Sequence, residues 1–148
     1  MLGCPFLDQL AHAHASGPGA HVVELEVTDD MRGPEGPSTW GWCRPLADCA
    51  GASVLARQAR RPVVTSNLAI AFHSPGLIGP LRAVGVPLRA GRRLASASVA
   101  VHDRGIDDEL VATALVSVRL LGAGSDQPAE GRTAEAGVSQ GRALRRPL

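Results

Sequence analysis

The feature that most constrains the fold is one helical segment, rich in small residues, that precedes a long run of strand-like sequence. From Pro45 to about Arg60, apolar or long-stemmed residues recur at helical spacing. Proline suits the first position of a helix because its missing N–H costs nothing there. Small residues are frequent along the segment: Ala47, Ala50, Gly51, Ala52 and Ser53. They let other backbone approach closely, so we expect the rest of the chain to enclose this helix.

Five other segments have the pattern of strands. In residues 21–27, Val23, Leu25 and Val27 alternate with glutamates, which predicts a strand with one solvated face. The other four follow the helix, at residues 63–72, 81–88, 94–102 and 110–121. Pro87 indicates an edge, a strand end or a bulge in its segment. A strand, a loop, a helix and four successive strands predict an α+β domain in which the helix packs on an antiparallel sheet.

The chain has 148 residues, the size of one compact domain. Apolar residues at helical spacing in residues 5–15 predict a short helix, so residues 1–20 are assigned to an N-terminal helix and linker. Residues 21–122 then form the domain. Residues 123–148 are rich in Gly, Ala, Ser, Glu and Arg and have no periodic apolar face, which predicts a flexible tail.

Charge and hydropathy disfavour two classes of partner. A net charge of +1 and a pI near 7.8 give no strong field to attract nucleic acid. The apolar runs are far shorter than the roughly 18 residues that cross a bilayer. Residues 1–20 also lack the basic start and apolar core of a secretion signal. We therefore expect a cytoplasmic protein that binds neither nucleic acid nor membrane.

Cysteine and histidine spacing does not indicate a metal site. Cys4, Cys43 and Cys49 are odd in number and are not spaced as in zinc-binding motifs, so reduced thiols are expected. His12 and His14 form an H-x-H pair within the predicted N-terminal helix, where residues two apart do not share a face. We predict no metal.

Two motifs carry a resemblance to a known family. Residues 46–48 in the helix read LAD, and residues 64–75 in the next strand read VTSNLAIAFHSP, of the form V-T-x-x-L-x-I-x-F-x-x-P. In their order and spacing, residues 22–121 resemble the hotdog-fold thioesterases of the phenylacetate-pathway (PaaI-like) type. The resemblance implies an antiparallel sheet wrapped around one long central helix. It also implies a homodimer or homotetramer, because such proteins join sheets across a two-fold axis.

The resemblance implies hydrolysis of an acyl-coenzyme A thioester, with coenzyme A as part of the substrate and no separate cofactor. Asp48 matches the family's carboxylate, which acts as nucleophile or as general base on water. Thr65 matches a hydroxyl that orients this water, and the amide of Gly41 would help to polarise the thioester carbonyl. Without the resemblance, Asp48 reads as a first-turn acid that complements the helix dipole, and Thr65 as an ordinary strand residue.

The family motif ahead of the helix is incomplete. Its H-G-G falls on Thr39-Trp40-Gly41 and its upstream Asn on Gly33, so only Gly41 and Gly36 keep the pattern. These replacements favour an alternative, a non-catalytic acyl-CoA-binding or structural hotdog domain with a degenerate active site. A dehydratase on the same fold would need a catalytic His, and the loop before the helix contains none.

Four further residues are assigned to the acyl site: Thr39, Trp40, Trp42 and Asn67. A large indole at this place would narrow the pocket. Alternatively, one of the tryptophans fills a dimer core, since buried aromatic residues are common at interfaces.

Three arginines cluster at one turn, Arg89, Arg92 and Arg93. Guanidinium groups bind phosphate through paired hydrogen bonds, so we predict that this turn binds the phosphates of coenzyme A. The alternative is a solvated hairpin tip, where such charges contribute little.

Overall fold

The computed structural model describes residues 11–15, 19–31, 40–76 and 78–122. The described part contains one α-helix, α1 (Trp40–Ala59), and a short 3-10 turn at Asp29–Met31. Six strands complete it: β1 (Ala11–Ala15), β2 (His21–Leu25), β3 (Val63–Phe72), β4 (Leu81–Ala90), β5 (Leu94–Asp103) and β6 (Glu109–Leu120).

The strands form one antiparallel sheet in the order β1-β2-β4-β5-β6-β3, and α1 packs on one face of it. The predicted α+β architecture is confirmed. Along β5, alternate residues point into the core, from Ala95 through Ala97 and Val99 to Val101. Since the period of a strand is two, the intervening residues form the outer face of the sheet.

The helix lies close to the sheet, as its small residues predicted. A Cβ added to Gly51 would lie 2.6 Å from Cγ2 of Val116 on β6. On β4, a Cβ added to Gly85 would lie 2.6 Å from the carbonyl oxygen of Ala50. Neither position has room for a side chain, so these two glycines set the distance between helix and sheet.

The predicted N-terminal helix is wrong over its described part. Residues Ala11–Ala15 form β1, which pairs with β2 from Ala11↔Leu25 to Ala15↔His21. A short helix is marginally stable alone, whereas a segment beside an open edge gains ladder hydrogen bonds. The argument against the H-x-H pair assumed a helix and does not apply to a strand. Residues 1–10 lie outside the described residues.

The start of α1 also differs from the prediction. The helix begins at Trp40, so Pro45 lies inside it and not at its first position. Because proline has no N–H, the carbonyl of Gly41 lacks its usual intrahelical donor. The added turn buries Cys43 completely and packs Trp42 against the core, which offsets the lost bond. The helix ends near the predicted place, at Ala59, with Arg60 in the left-handed region at φ 52°.

Two strand irregularities bear on the candidate site. The pairing of β4 with β5 shifts between Pro87 and Arg89, which confirms a bulge at the proline. The pairing of β3 with β6 shifts between Thr65 and Asn67.

The proposed boundary at residue 20 and the tail at 123–148 stay predictions, because residues 16–18 and 123–148 lie outside the described part.

A fully buried carboxylate joins two turns at one end of the sheet. Asp103, at the end of β5, accepts hydrogen bonds from the backbone N–H groups of Ile78 (3.0 Å), Gly79 (2.8 Å) and Gly105 (2.9 Å). It therefore holds the β3–β4 connection against the β5–β6 turn. A buried anion is tolerated here because amide donors satisfy it.

Candidate active site

Two of the three residues predicted to be catalytic, Asp48 and Thr65, are in contact. Thr65 Oγ1 on β3 donates a hydrogen bond of 2.7 Å to Asp48 Oδ1 on α1, and the pair is half-buried. Asp48 is the ninth residue of α1, so the first turn contains no acid and the reading of Asp48 as a dipole-complementing residue is wrong. A carboxylate with one bound oxygen and partial access to solvent can still accept a proton.

The bulge in β3 turns Thr65 toward α1. Thr65 pairs with Val118 and Leu68 pairs with Val116, and both of these valines are buried on the helix side of the sheet. One extra residue between them, Ser66, is accommodated at the bulge, where its Oγ donates to the carbonyl of Ser117. Asn67 pairs with Ser117, is exposed and faces away from α1. The structure therefore does not bring Asn67 to the Asp48–Thr65 pair of its own chain.

Gly41 lies in the first turn of α1, not in a turn ahead of it. Amides in a first turn have no intrahelical acceptor, and the helix dipole makes them attractive to negative charge. Gly41 is exposed, and a Cβ added to it would meet nothing within 4 Å. Among the residues that the structure describes, none therefore covers the amide end of the helix. Gly41 and Asp48 are seven residues apart, hence on the same side of the helix and separated by about 10 Å along its axis.

The two tryptophans lie in different surroundings. Trp40 is 43% exposed, stacks on Phe72 with ring centroids 5.3 Å apart, and donates from Nε1 to the carbonyl of Ser74 at 3.1 Å. Phe72 is seven residues along β3 from Thr65, or about 23 Å. Trp40 is thus far from the Thr65 of its own chain. Trp42 is half-buried against the core, and Thr39 lies outside the described residues.

The three arginines predicted to cluster at one turn are exposed; Arg89 lies in the last part of β4, and Arg92 and Arg93 lie in the β4–β5 turn, whose backbone is held. Arg61, which follows α1, donates from Nη1 to the carbonyl of Arg92 (3.1 Å) and from Nε to the carbonyl of Leu121 (3.0 Å). The N–H of Leu120 donates to the carbonyl of Arg93 at 2.8 Å. Sequence reasoning missed Arg61; its one available signal was its place beside Pro62, at the entry to a strand.

This end of the molecule is strongly basic. Residues 57–64, 88–95 and 117–122 meet there and contain neither Asp nor Glu. They carry seven arginines: Arg57, Arg60, Arg61, Arg89, Arg92, Arg93 and Arg119. A chain of net charge +1 therefore has one end that favours anions.

Metal ligands and membrane-spanning helices are not seen in the described ranges. No group of three or more His, Cys, Asp or Glu side chains in this part of the chain has a geometry that could hold a metal ion. Within the same ranges, no helix is both long and apolar enough to cross a membrane.

The sequence matches the profile of one family. The profile of the thioesterase superfamily aligns with residues 41–116, which include Gly41, Asp48 and Thr65. No curated protein sequence is significantly similar to the chain.

Solved structures of similar fold include several thioesterases. A protein of the thioesterase superfamily has 26% identity and a TM-score of 0.72, over 80% of this chain and 90% of that one. The Escherichia coli PaaI protein of the phenylacetic acid degradation operon has 22% identity and a TM-score of 0.72, over 81% and 86%. A thioesterase of Haemophilus influenzae has 16% identity and a TM-score of 0.72, over 80% and 84%. The hotdog fold implied by the sequence is confirmed.

Proposed function

The chain belongs to the thioesterase superfamily, and from this premise we propose that it hydrolyses an acyl-coenzyme A thioester to a free acid and coenzyme A. The observation that carries the proposal is the hydrogen bond from Thr65 Oγ1 to Asp48 Oδ1. It joins two residues 17 positions apart in the sequence, both of which the family resemblance assigns to the chemistry. A hydroxyl bound to one carboxylate oxygen fixes the orientation of the other.

We assign to Asp48 the role of general base. It takes a proton from a water molecule whose oxygen attacks the thioester carbon, and Thr65 orients this water. The resulting oxyanion is stabilised by the amide of Gly41 and the dipole of α1. The C–S bond then breaks, and the proton held by Asp48 passes to the departing sulfur. The resemblance also allows Asp48 to attack directly as a nucleophile.

The spacing of Gly41 and Asp48 bears on whether Asp48 acts as a general base or as a nucleophile. A separation of about 10 Å along one helix is too long for Asp48 to attack a carbonyl bound at the Gly41 amide of the same chain. A water molecule between Asp48 and the thioester carbonyl spans this distance more easily. Direct attack would need Gly41 from one subunit and Asp48 from another.

We propose that the protein is a homo-oligomer, a dimer or a tetramer. β3 forms the last pairing of the sheet, with β6 on one side and no strand among the described residues on the other. An unpaired ten-residue edge is a ready surface for a second copy. Thr65 lies on this edge strand, so pairing there would bring a second subunit beside the candidate site.

Light scattering tests the assembly, and mixed variants test whether sites are shared. A mass of one 15.3 kDa chain at micromolar concentration would contradict the proposal. Gly41→Pro removes the amide while remaining compatible with a first helical turn, and Asp48→Asn removes the base. If sites combine two subunits, mixing the two inactive variants restores part of the activity. If each site lies within one chain, mixing restores none.

The nucleotide part of the substrate is assigned to the basic end. Arg89, Arg92 and Arg93 are exposed and carry guanidinium groups suited to the phosphates of coenzyme A. We propose a cytoplasmic location, as the sequence predicts, where acyl-coenzyme A substrates also occur. No metal or further cofactor is required by this chemistry.

A non-catalytic acyl-CoA-binding domain is the second candidate. Trp40 replaces a glycine of the family motif. Its indole stacks on Phe72 and donates a hydrogen bond to the Ser74 carbonyl, and these two contacts fix the start of α1. The family motif does not require such contacts. Release of free thiol from a panel of acyl-coenzyme A thioesters separates the two. We expect turnover well above background that Asp48→Asn abolishes. Tight binding without turnover would establish the second candidate.

A further inference from the structure

Residues 89–93, which comprise the last two residues of β4 and the turn to β5, are hereafter the arginine turn. Turns at the tip of a hairpin usually project into solvent and move freely. This one is tied on both sides: Arg61 and the N–H of Leu120 donate to the carbonyls of Arg92 and Arg93, and the Gly91 N–H donates to the Leu94 carbonyl at 2.8 Å. The turn is exposed to solvent, as the alternative drawn from the sequence has it, but its backbone is held in place.

Arg61 connects three elements through one side chain. It lies between α1 and β3, and its two hydrogen bonds reach the arginine turn and the residue after β6. The guanidinium has five N–H groups in a fixed plane, so a single side chain can fix two carbonyls in one geometry. Lysine, a flexible point charge, does not reproduce this arrangement.

The charge of this end points to an anionic ligand. The Arg61 guanidinium lies beside the backbone of Arg92, and the surrounding segments 57–64, 88–95 and 117–122 contain no carboxylate. Like charges that are brought close together repel each other, and an anion relieves this repulsion. Fixing the loop beforehand also lowers the entropy lost on binding.

We propose that Arg61 is a positioning residue for a phosphate-ester site on the arginine turn. It fixes the backbone of Arg92, so that the guanidinium groups of the turn are arranged before the ligand arrives. The proposal rests on the proposed function in one respect: the phosphate ester is the nucleotide part of the coenzyme A thioester. Arg61 contributes to substrate affinity and not to the reacting atoms.

The test compares Arg61→Gln with Arg60→Gln. Both remove one positive charge from the same end, but the Arg60 side chain is exposed and makes none of the bonds to the arginine turn. Binding of free coenzyme A is measured by titration calorimetry. We expect Arg61→Gln to weaken binding by about tenfold or more, the usual loss for a charged hydrogen-bonding group, and Arg60→Gln by less than about threefold.

Arg61→Lys distinguishes geometry from charge. Because it keeps the charge and loses the planar fork, we expect it to bind coenzyme A nearly as weakly as Arg61→Gln. Circular dichroism checks that each variant is folded, and Arg61→Lys carries the test if Arg61→Gln does not fold. Binding by Arg61→Lys at the wild-type level, or equal losses for Arg60→Gln and Arg61→Gln, would overturn the positioning role.

Kinetics separate this role from a general structural one. Arg61→Gln should raise KM for a coenzyme A thioester and leave kcat nearly unchanged. For an N-acetylcysteamine thioester, which has no phosphates, both constants should match the wild type. A fall in kcat on both substrates would show that Arg61 merely supports the fold. Arg61-dependent binding without hydrolysis would uphold this inference while the proposed hydrolysis fails.

Discussion

Two aspartates of this protein are used in opposite ways. Asp103 is completely buried, and three backbone N–H groups donate to its carboxylate. Asp48 is half-buried and has a threonine hydroxyl on one oxygen. A carboxylate surrounded by fixed amides holds turns together, whereas one with a remaining accessible oxygen can accept a proton. The environment, and not the residue type, therefore separates a structural aspartate from a candidate catalytic one.

The largest expected effect is on turnover by Asp48→Asn. The substitution keeps the shape of the side chain and removes the base, so the rate should fall by roughly 10² to 10⁴. Stability should change by no more than about 1 kcal/mol. Initial rates of thiol release, with a denaturant titration of the same sample, measure both quantities. Wild-type turnover in Asp48→Asn would remove Asp48 from the mechanism.

Asp103→Asn should produce the complementary result, loss of stability without a specific loss of chemistry. The amide group retains one acceptor oxygen and turns an NH₂ toward at least one backbone donor. We expect the free energy of unfolding to fall by roughly 2–4 kcal/mol, as for broken buried charged hydrogen bonds. Urea titration measures this, and the rate per folded molecule should stay within about threefold of wild type. An unchanged midpoint would show that the three bonds contribute little.

Thr65→Val tests whether the hydroxyl bound to Asp48 contributes to turnover. Valine has nearly the shape of threonine and suits a strand, so the fold should be retained. Because it removes the hydroxyl bound to Asp48, we expect kcat to fall by about tenfold to a hundredfold, less than for loss of the base. The matched control is Thr113→Val on the outer face, where the hydroxyl contacts His73 and should not affect turnover. Equal effects of the two variants would contradict a special role for Thr65.

The smallest effect is expected from deletion of residues 123–148. The segment has no periodic apolar face, so its removal should leave both carboxylate environments intact. The melting temperature should change by less than about 5 °C, a shift that corresponds to roughly 1 kcal/mol for a domain of this size. Differential scanning calorimetry of the two chains makes the measurement. A larger drop would mean that the tail packs on the domain.

The fold was predictable where the sequence pattern is local and periodic. The five strands β2 to β6 and the close packing of the small residues of α1 were predicted correctly, and the bulge at Pro87 was one of three alternatives. The start of α1 was misplaced because proline is favoured at a first position, whereas tertiary packing of Cys43 holds an earlier turn. β1 was missed because its partner strand, and not its own sequence, determines its conformation.

The candidate site was predictable only through motif resemblance. That resemblance assigned a role to Asp48 and to Thr65, but the hydrogen bond between them was not predicted and is seen only in the structure. It did not indicate Asp103 or Arg61, because each acts on backbone groups that come together only in the folded chain. A backbone carbonyl or amide does not depend on the residue type, so the sequence does not show which residues will provide these groups for a hydrogen bond.

The contact between Gly51 and Val116 limits the combined volume of the side chains at these two positions in any variant of this protein. A methyl group at position 51 would need the space that Val116 now fills, so Gly51→Ala and Val116→Ala should each be harmful alone and partly compensate together. The two positions are therefore expected to vary as a pair among relatives. A library that diversifies α1 while β6 is held constant would recover glycine at position 51, however well other residues suit a helix.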